Sequence, residues 1–385
     1  MARFTGKKLA IVGASHFQNP LILKAKELGC ETHVFAWECG DVGEKTADFF
    51  YPISITEIEA IANQCREIGV DGICTIATDL GNITVSQVAE RLGLVGNPVD
   101  VVDRSTNKHL MRETFARCGD PSPRSYVVGP EDDLSSLELD YPIIVKPVDR
   151  SGSRGITELD DAAGLAEAVT LAQSESFSCE AIVEEFMTGE EFSVEFCSWE
   201  GEHTFLALTK KFTTGAPGFV ETGHLEPAPV SDETLDQVKT VVSHALDSLG
   251  VRYGASHSEV ILRADGTFGI VEIGSRMGGD CIGSDLVYLS TGIDFTTAVI
   301  EVALGERPSL DPKGQPGVAA IRFVFSQTDL DALSDLKSSR PDMLEFESPM
   351  ESFDHQVTDS SSRFGYYIMR ADTLDELAPW LPREA

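Results

Sequence analysis

Residues Ser256 to Arg276 read SHSEVILRADGTFGIVEIGSR, two runs of apolar and branched side chains on either side of Asp265-Gly266. An Asp-Gly pair between such runs predicts a two-residue hairpin with a type I′ turn, both central residues at positive φ. Pairing Ala264 with Thr267 then sets Ile261 opposite Ile270, Glu259 opposite Glu272 and His257 opposite Gly274. Side chains alternate with a period of two, so His257, Glu259, Glu272 and Arg276 project from one face. Carboxylates about 5 Å apart across a sheet repel, and they need either to share a proton or to hold a cation between them. An oxygen-only pair suits Mg2+ or Mn2+, which keep waters and phosphates alongside one or two carboxylates. A longer turn of odd length would break this register and leave two glutamates on a solvated face.

A divalent ion held by two acids commonly serves a nucleotide, which calls for cations and a phosphate loop elsewhere in the chain. YPIIVKPV reads as a buried strand that delivers Lys146, and SGSRG follows it directly. The backbone amides of Ser151, Gly152, Ser153, Arg154 and Gly155 could wrap phosphate oxygens, with Arg154 adding charge. The loop lacks the Gly-Lys-Ser/Thr ending of a Walker loop and has no helix directly after it, which disfavours a P-loop NTPase.

The chain around these motifs has 385 residues, enough for two or three domains, and an ordinary globular composition with 42% hydrophobic and 24% charged residues. Its 30 basic against 63 acidic residues give a net charge of −33. That balance repels phosphate backbones and anionic membranes, and it argues against nucleic acid or membrane as the main partner. The eight cysteines form no C-x-x-C pair, as expected of free thiols in a reducing compartment. The apolar run near the start is too short for a signal peptide, and no segment approaches the roughly 18 apolar residues of a membrane span. The expected location is the cytoplasm.

KKLAIVGASHFQNPLILKAKELGCETHVFAW reads as strand, loop, helix and strand, with Asn19 as N-cap, Pro20 at the first helical position and Gly29 at the end. A second such unit follows, in which Ile58, Ile61 and Cys65 have helical spacing ahead of a strand around VDGICTIA. Residues 1–103 are thus expected to form a doubly wound α/β domain. GASHFQ has one glycine where a dinucleotide fingerprint needs three. Loops at the carboxyl ends of such strands face ligand clefts, so GASHFQN and ATDLGN remain candidates for substrate contact. From Asn107 the texture becomes α+β: a helix NKHLMRETFARCG, the strand with Lys146, a helix near DDAAGLAEAVTLAQ, then strands EAIVEEF, EEFSVEFCSW and HTFLALTKKF. VAAIRFVFS and RFGYYIMRADTLDELAPWL add strands and a helix to the same body.

Taken in order, these pieces resemble the ATP-grasp superfamily, in which two α+β subdomains close on ATP from either side. The resemblance covers most of the chain. It implies a pre-ATP-grasp domain over 1–103, an ATP-grasp domain over 104–305 with a lid subdomain at about 120–200, and strands of 306–385 completing the large subdomain. Lys108 and Lys146 match the two phosphate-binding lysines, and SGSRG matches the mobile phosphate loop, with arginine where lysine is common. EAIVEEFMTGEEFSVEF resembles the adenine hinge, so Glu184, Glu185 and Phe186 would meet adenine, mainly through backbone groups, and Glu191 the ribose hydroxyls. Glu259 and Glu272 match the metal-binding acids, and Arg276 matches the arginine at the transferred phosphoryl group. Many members carry a metal-binding asparagine two residues after the second acid. Here that position is Gly274, and Asp280 or water would have to substitute.

ETGHLEPAP and EIGSRMGGDCIG look most like carboxylate–amine ligases of the amino-acid ligase and carbamoyl-phosphate-synthetase-like branch. That likeness implies an ADP-forming ligase making an amide or peptide bond through an acyl phosphate, with ATP and Mg2+ (or Mn2+), amino-acid substrates and a homodimeric state. His257 shares the acids' face and is a candidate for proton handling. His224 is open between substrate contact and a local structural role. The alternatives are an ATP-grasp carboxylase using bicarbonate and an ATP-binding sensor without turnover.

Overall fold

The structure, a computed structural model, describes residues 2–383 apart from 153, 217 and 351, and it is organised around three sheets. The first holds β1 (Lys8–Val12), β2 (Glu31–Phe35), β3 (Phe49–Tyr51) and β4 (Gly72–Cys74), all parallel in the order β3-β2-β1-β4. A parallel sheet needs both faces covered. Leu21, Ile22 and Ala25 of the helix Asn19–Glu27 close one face over Leu9 and Ile11. Ile61, Ala62 and Cys65 of the helix Ile58–Ile68 close the other over Ala10 and Val12. The doubly wound arrangement is as the helical spacing implied. The first helix starts one residue earlier than expected: Gln18, not Asn19, is its N-cap, because the Gln18 side chain is tied to Ser15 and to the carbonyl of Ile76.

The second sheet holds β5 (Ser125–Val128), β6 (Ile143–Pro147), β7 (Thr157–Leu159) and β8 (Ala181–Glu185), antiparallel in the order β5-β8-β6-β7. It packs on the helix Leu165–Glu175 through Ala168, Val169 and Ala172.

The third sheet has eight strands: β9 (Glu190–Trp199), β10 (Glu202–Thr213), β11 (Glu221–Glu226), β12 (Tyr253–Leu262), β13 (Phe268–Gly274), β14 (Val318–Phe323), β15 (Leu344–Pro349) and β16 (Gly365–Ala371). Their order is β13-β12-β9-β10-β11-β14-β16-β15. β9 thus lies in the large sheet, and the small sheet ends with β8. Phe192, Val194 and Phe196 on β9 join Val260, Ile270 and Ile273 against Val238, Val242 and Leu246 of the helix Asp232–Leu249. Each such buried side chain contributes about 1.5–3 kcal/mol. The intervening residues of β9, Glu191, Ser193 and Glu195, point to the other face.

The hairpin of β12 and β13 corrects one expectation and keeps its consequence. Gly266 is at φ 84° while Asp265 is absent from the positive-φ residues, so the turn is not type I′. Gly266 N–H donates to the Arg263 carbonyl, and Arg263 N–H to that of Thr267, giving a three-residue turn that ends in a left-handed glycine. The odd turn moves the register as anticipated: Ile261 faces Gly269, not Ile270. A bulge then restores it, since Val260 pairs with Ile270 and Glu259 with Glu272, leaving Val271 as the extra residue. Glu259 still faces Glu272, and His257 still faces Gly274. Among the described residues no helix is long and apolar enough to cross a membrane.

Candidate active site

A cleft of about 400 Å³ runs between the small sheet and the polar face of the large one. Among its lining residues are Lys108, Lys146, Glu259 and Glu272, with Ser151, Gly152 and Arg154 of the loop after β6. Lys108 is the first residue of the helix Lys108–Cys118, which Asn107 caps through Leu110 N–H, and its Nζ lies 2.9 Å from Glu272 Oε2. Burial disfavours that ammonium, but Glu272 outweighs it and the lysine's pKa is raised. Lys146 Nζ lies 2.6 Å from Glu184 Oε2. Here burial, with Arg112 and Lys108 nearby, outweighs Glu184 and the pKa is lowered. Ser153 lies outside the described residues. Gly155 stands just behind the cleft at φ 64°, where a Cβ would come within 3.1 Å of Glu175 and 3.3 Å of Pro147.

The expected adenine hinge also lines the cleft. Phe186, Ile144, Met187 and Phe219 give it an apolar end, with the Phe186 and Phe219 rings 5.9 Å apart. The N–H groups of Glu185 and Phe186 donate to the carbonyls of Arg124 and Pro142. Glu185 is exposed. Glu184 is 2% exposed and its carboxylate accepts from Arg112 Nε at 2.6 Å and Arg112 Nη2 at 3.2 Å. Although burial raises its pKa, Arg112 and Lys146 pull it down to about 2. The Glu184 side chain is therefore the counter-ion of Lys146. Arg112 Nη2 also donates to the Val271 carbonyl at 2.6 Å, so one guanidinium fixes both that glutamate and the bulge that aligns the acids.

Glu191 and Glu259 converge on a residue that sequence reasoning passed over. Lys211 Nζ on β10 is 2.5 Å from Glu191 Oε1 and 3.0 Å from Glu259 Oε1. Burial lowers the lysine's affinity for its proton, yet the surrounding glutamates raise its pKa well above the ordinary value. Glu259 is held well below the carboxylate range despite burial, by Lys211 and His257. Among the described residues no three acidic, histidine or cysteine side chains form a ready metal cage. The oxygen-only pair Glu259 and Glu272 nonetheless suits a hard divalent ion that takes its other ligands from phosphate and water.

His257 and Arg276 are outside the cleft's lining but border it. His257 Nδ1 is hydrogen-bonded to Glu195, and its Nε2 is 3.7 Å from Glu259 Oε1. Glu195 is fully buried. Burial opposes the imidazolium, but Glu195 outweighs it and lifts the pKa to about 9. Arg276 donates from Nε and Nη2 to Asp79 at 2.8 and 3.2 Å. Asp79 opens the helix Asp79–Leu92 in the ATDLGN loop of the parallel-sheet domain. This pair explains Gly274, because a Cβ there would come within 3.2 Å of Arg276 Cζ and 3.4 Å of Asp79 Oδ1. Asp280 is not available to replace the missing asparagine. Its carboxylate accepts from Arg363 Nη1 and Nη2 at 2.8 and 2.5 Å, with His224 Nε2 3.4 Å away.

Two α+β layers thus enclose a cleft in which lysines and glutamates pair across the gap, next to a parallel-sheet domain. Residues 139–284 match the ATP-grasp domain family. Over 275 residues the chain is 26% identical to alanine–anticapsin ligase of Bacillus subtilis (strain 168), an alignment covering 62% of this chain and 58% of that one. L-amino acid ligase from Bacillus licheniformis has the same fold, with TM-score 0.82 and 23% identity over 98% of this chain and 96% of that one. So does the ADP complex of N5-carboxyaminoimidazole ribonucleotide synthetase, with TM-score 0.79 and 17% identity over 99% of this chain and 97% of that one. The chain spans 58% to 65% of the length of the first curated relatives it matches.

Proposed function

We propose that the protein is an ADP-forming carboxylate–amine ligase that joins amino acids, or an amino acid and another small amine, through an acyl phosphate. The observation that carries this reading is the set of three buried lysines, each resting on a glutamate in one cleft: Lys108 on Glu272, Lys146 on Glu184, and Lys211 on Glu191 and Glu259. Buried ion pairs are costly to assemble and hold their strength in low dielectric. A phosphate chain can draw on these lysines, which frees glutamate oxygens for a divalent ion. The alanine–anticapsin ligase relative supports the choice of an amide-forming ligase.

In this mechanism a substrate carboxylate oxygen attacks the γ-phosphorus of ATP and ADP leaves. An amine nitrogen then attacks the acyl carbon, phosphate leaves, and the ammonium proton is lost. Lys108, Lys146 and Lys211 orient the phosphates and offset the charge that develops on them. Glu259 and Glu272 would hold Mg2+ or Mn2+, which supplies neutralisation of the phosphate oxygens when bound. Arg276, held by Asp79, faces the transferred group, and His257, held by Glu195, keeps a fixed orientation beside Glu259. The exposed Ser151, Gly152 and Arg154 belong to a loop that excludes water from the acyl phosphate when it closes. The resemblance further implies a homodimer, which size-exclusion chromatography checks.

Phosphate release from ATP and Mg2+ with pools of amino acids and small carboxylates, with and without bicarbonate, tests the reading against Glu272→Gln as blank. Release that requires an amino-acid pool and vanishes in the variant supports the ligase. Release that tracks bicarbonate makes the protein a carboxylase, and ATP binding without release across the panel makes it a sensor.

A further inference from the structure

The segment Ser275–Cys281 carries Arg276 and is held at one residue after another. Asn82 Nδ2 donates to the Ser275 carbonyl, and Ser105 shares a hydrogen bond with the Ser275 hydroxyl. Asp79 takes Arg276. The Met277 carbonyl accepts from Ala77 N–H, and Gly278 N–H donates to Glu195 Oε2 at 3.4 Å. The last two residues, Asp280 and Cys281, lie at φ 52° and 61°, a left-handed conformation that costs non-glycine residues roughly 1–2 kcal/mol each. Strain of that kind persists only where neighbouring contacts over-determine it.

At Asp280 those contacts come from the far end of the chain. Arg363, two residues before β16, donates from both Nη groups to the two Asp280 oxygens. Its Nε donates to the Ser360 carbonyl at 2.7 Å, and its guanidinium lies over the Phe323 ring at 3.5 Å from the centroid. Arg363 is 7% exposed, and its planar fork fits a carboxylate in a way lysine does not. Neither Arg363 nor Asp280 lines the nucleotide cleft.

Resting on the ligase reading, we infer that Arg363 is a positioning residue: by clamping Asp280 it fixes the strained end of the Ser275–Cys281 segment, and so the placement of Arg276 beside Asp79 and of Gly278 against Glu195 and His257. The C-terminal strands then complete the site besides extending the sheet. Loosening the clamp displaces Arg276 without removing any group from the ATP cleft, and displacements near 1 Å cost on the order of 100-fold in rate.

The test is Arg363→Lys, which keeps the charge and loses the fork, with Arg363→Ala and Asp280→Asn beside it. Hydrogen exchange read on peptides covering 275–286 decides the clamp whatever reaction the protein catalyses. Exchange there rises in Arg363→Lys, while peptides covering Lys108 and Lys146 are unchanged. Equal exchange in variant and wild type overturns the inference. In amino-acid-dependent turnover, kcat falls roughly 10- to 100-fold while KM for ATP holds. Faster exchange with unchanged kcat per folded molecule also overturns it, since the contact is then structural only. A wild type that shows no amino-acid-dependent turnover overturns the ligase reading instead, and exchange alone then decides the clamp.

Discussion

SGSRG after β6 and GSRMGG after β13 have nearly the same composition and opposite structures. Ser151, Gly152 and Arg154 are exposed and line the cleft. Gly274, Ser275, Met277 and Gly278 are buried, and their segment is tied to the parallel-sheet domain, to β9 and to Arg363. A Cβ at Gly152 would meet nothing within 4 Å, whereas one at Gly278 would lie 2.6 Å from His257 Nδ1 and 3.0 Å from Glu195 Oε1. Glycine serves left-handed backbone in the first segment and close approach in the second. Only the second can hold a guanidinium to fixed geometry.

The comparison can be broken at several points. The largest effect is expected from Glu272→Gln, which removes one acid of the pair and the partner of Lys108. Turnover falls by about three orders of magnitude, in the range for losing a charge-stabilising group, while the far-ultraviolet circular dichroism stays unchanged. Gly278→Ala comes next. The added methyl forces His257 and Glu195 apart, costs about 1–3 kcal/mol of stability and lowers kcat on the order of 100-fold. Gly152→Ala, at φ 76°, carries only local backbone strain and costs far less in both thermal melts and turnover. Asp79→Asn keeps the shape and removes the charge opposite Arg276. A drop of roughly 10-fold in kcat, with ATP affinity held, is expected if the parallel-sheet domain positions that arginine.

Two smaller effects concern stability. Glu226 is fully buried, with the hydroxyls of Thr209 and Ser290 donating to its carboxyl at 2.6 Å each, and burial raises its pKa from 4.5 to about 7. The folded state therefore keeps a proton that the unfolded chain releases. The contribution is fully present below pH 4.5 and is lost as pH rises toward 7, roughly 3 kcal/mol in all. Glu226→Gln removes that slope, so its stability relative to wild type, measured by urea unfolding, improves between those limits and is flat above pH 7. A wild-type difference curve that rises with pH contradicts the assignment. Finally, a net charge of −33 repels itself, and the melting temperature is expected to rise as KCl goes from about 0.05 to 1 M through screening.

Much of this was legible in the chain. The hydrophobic spacing of Ile58, Ile61 and Cys65 was enough for the doubly wound domain, and EEFSVEFCSW was legible as a strand, though not which of its residues face the core. Its alternation, Phe192, Val194 and Phe196 against Glu191, Ser193 and Glu195, is the local signal that sets Glu195 on the face of the acids. Arg112 lies four residues after Lys108, on the same helical face, and Asp79 sits in a strand-end loop already marked for ligand contact. The hairpin shows the limit. Asp-Gly suits more than one turn, and the bulge at Val271 depends on a carbonyl that Arg112 captures from another element. The partners of Glu184, Lys211 and Asp280 are likewise set by tertiary packing, which no local pattern encodes.

The acyl phosphate is the centre of the account, and isotope transfer tests it most directly. An amino-acid substrate that supports turnover is supplied with oxygen-18 in its carboxylate, together with ATP and Mg2+, and the released phosphate is read by mass spectrometry. One labelled oxygen in the phosphate for each ADP formed is the predicted result. Unlabelled phosphate accompanying the same yield of ADP and amide would contradict it.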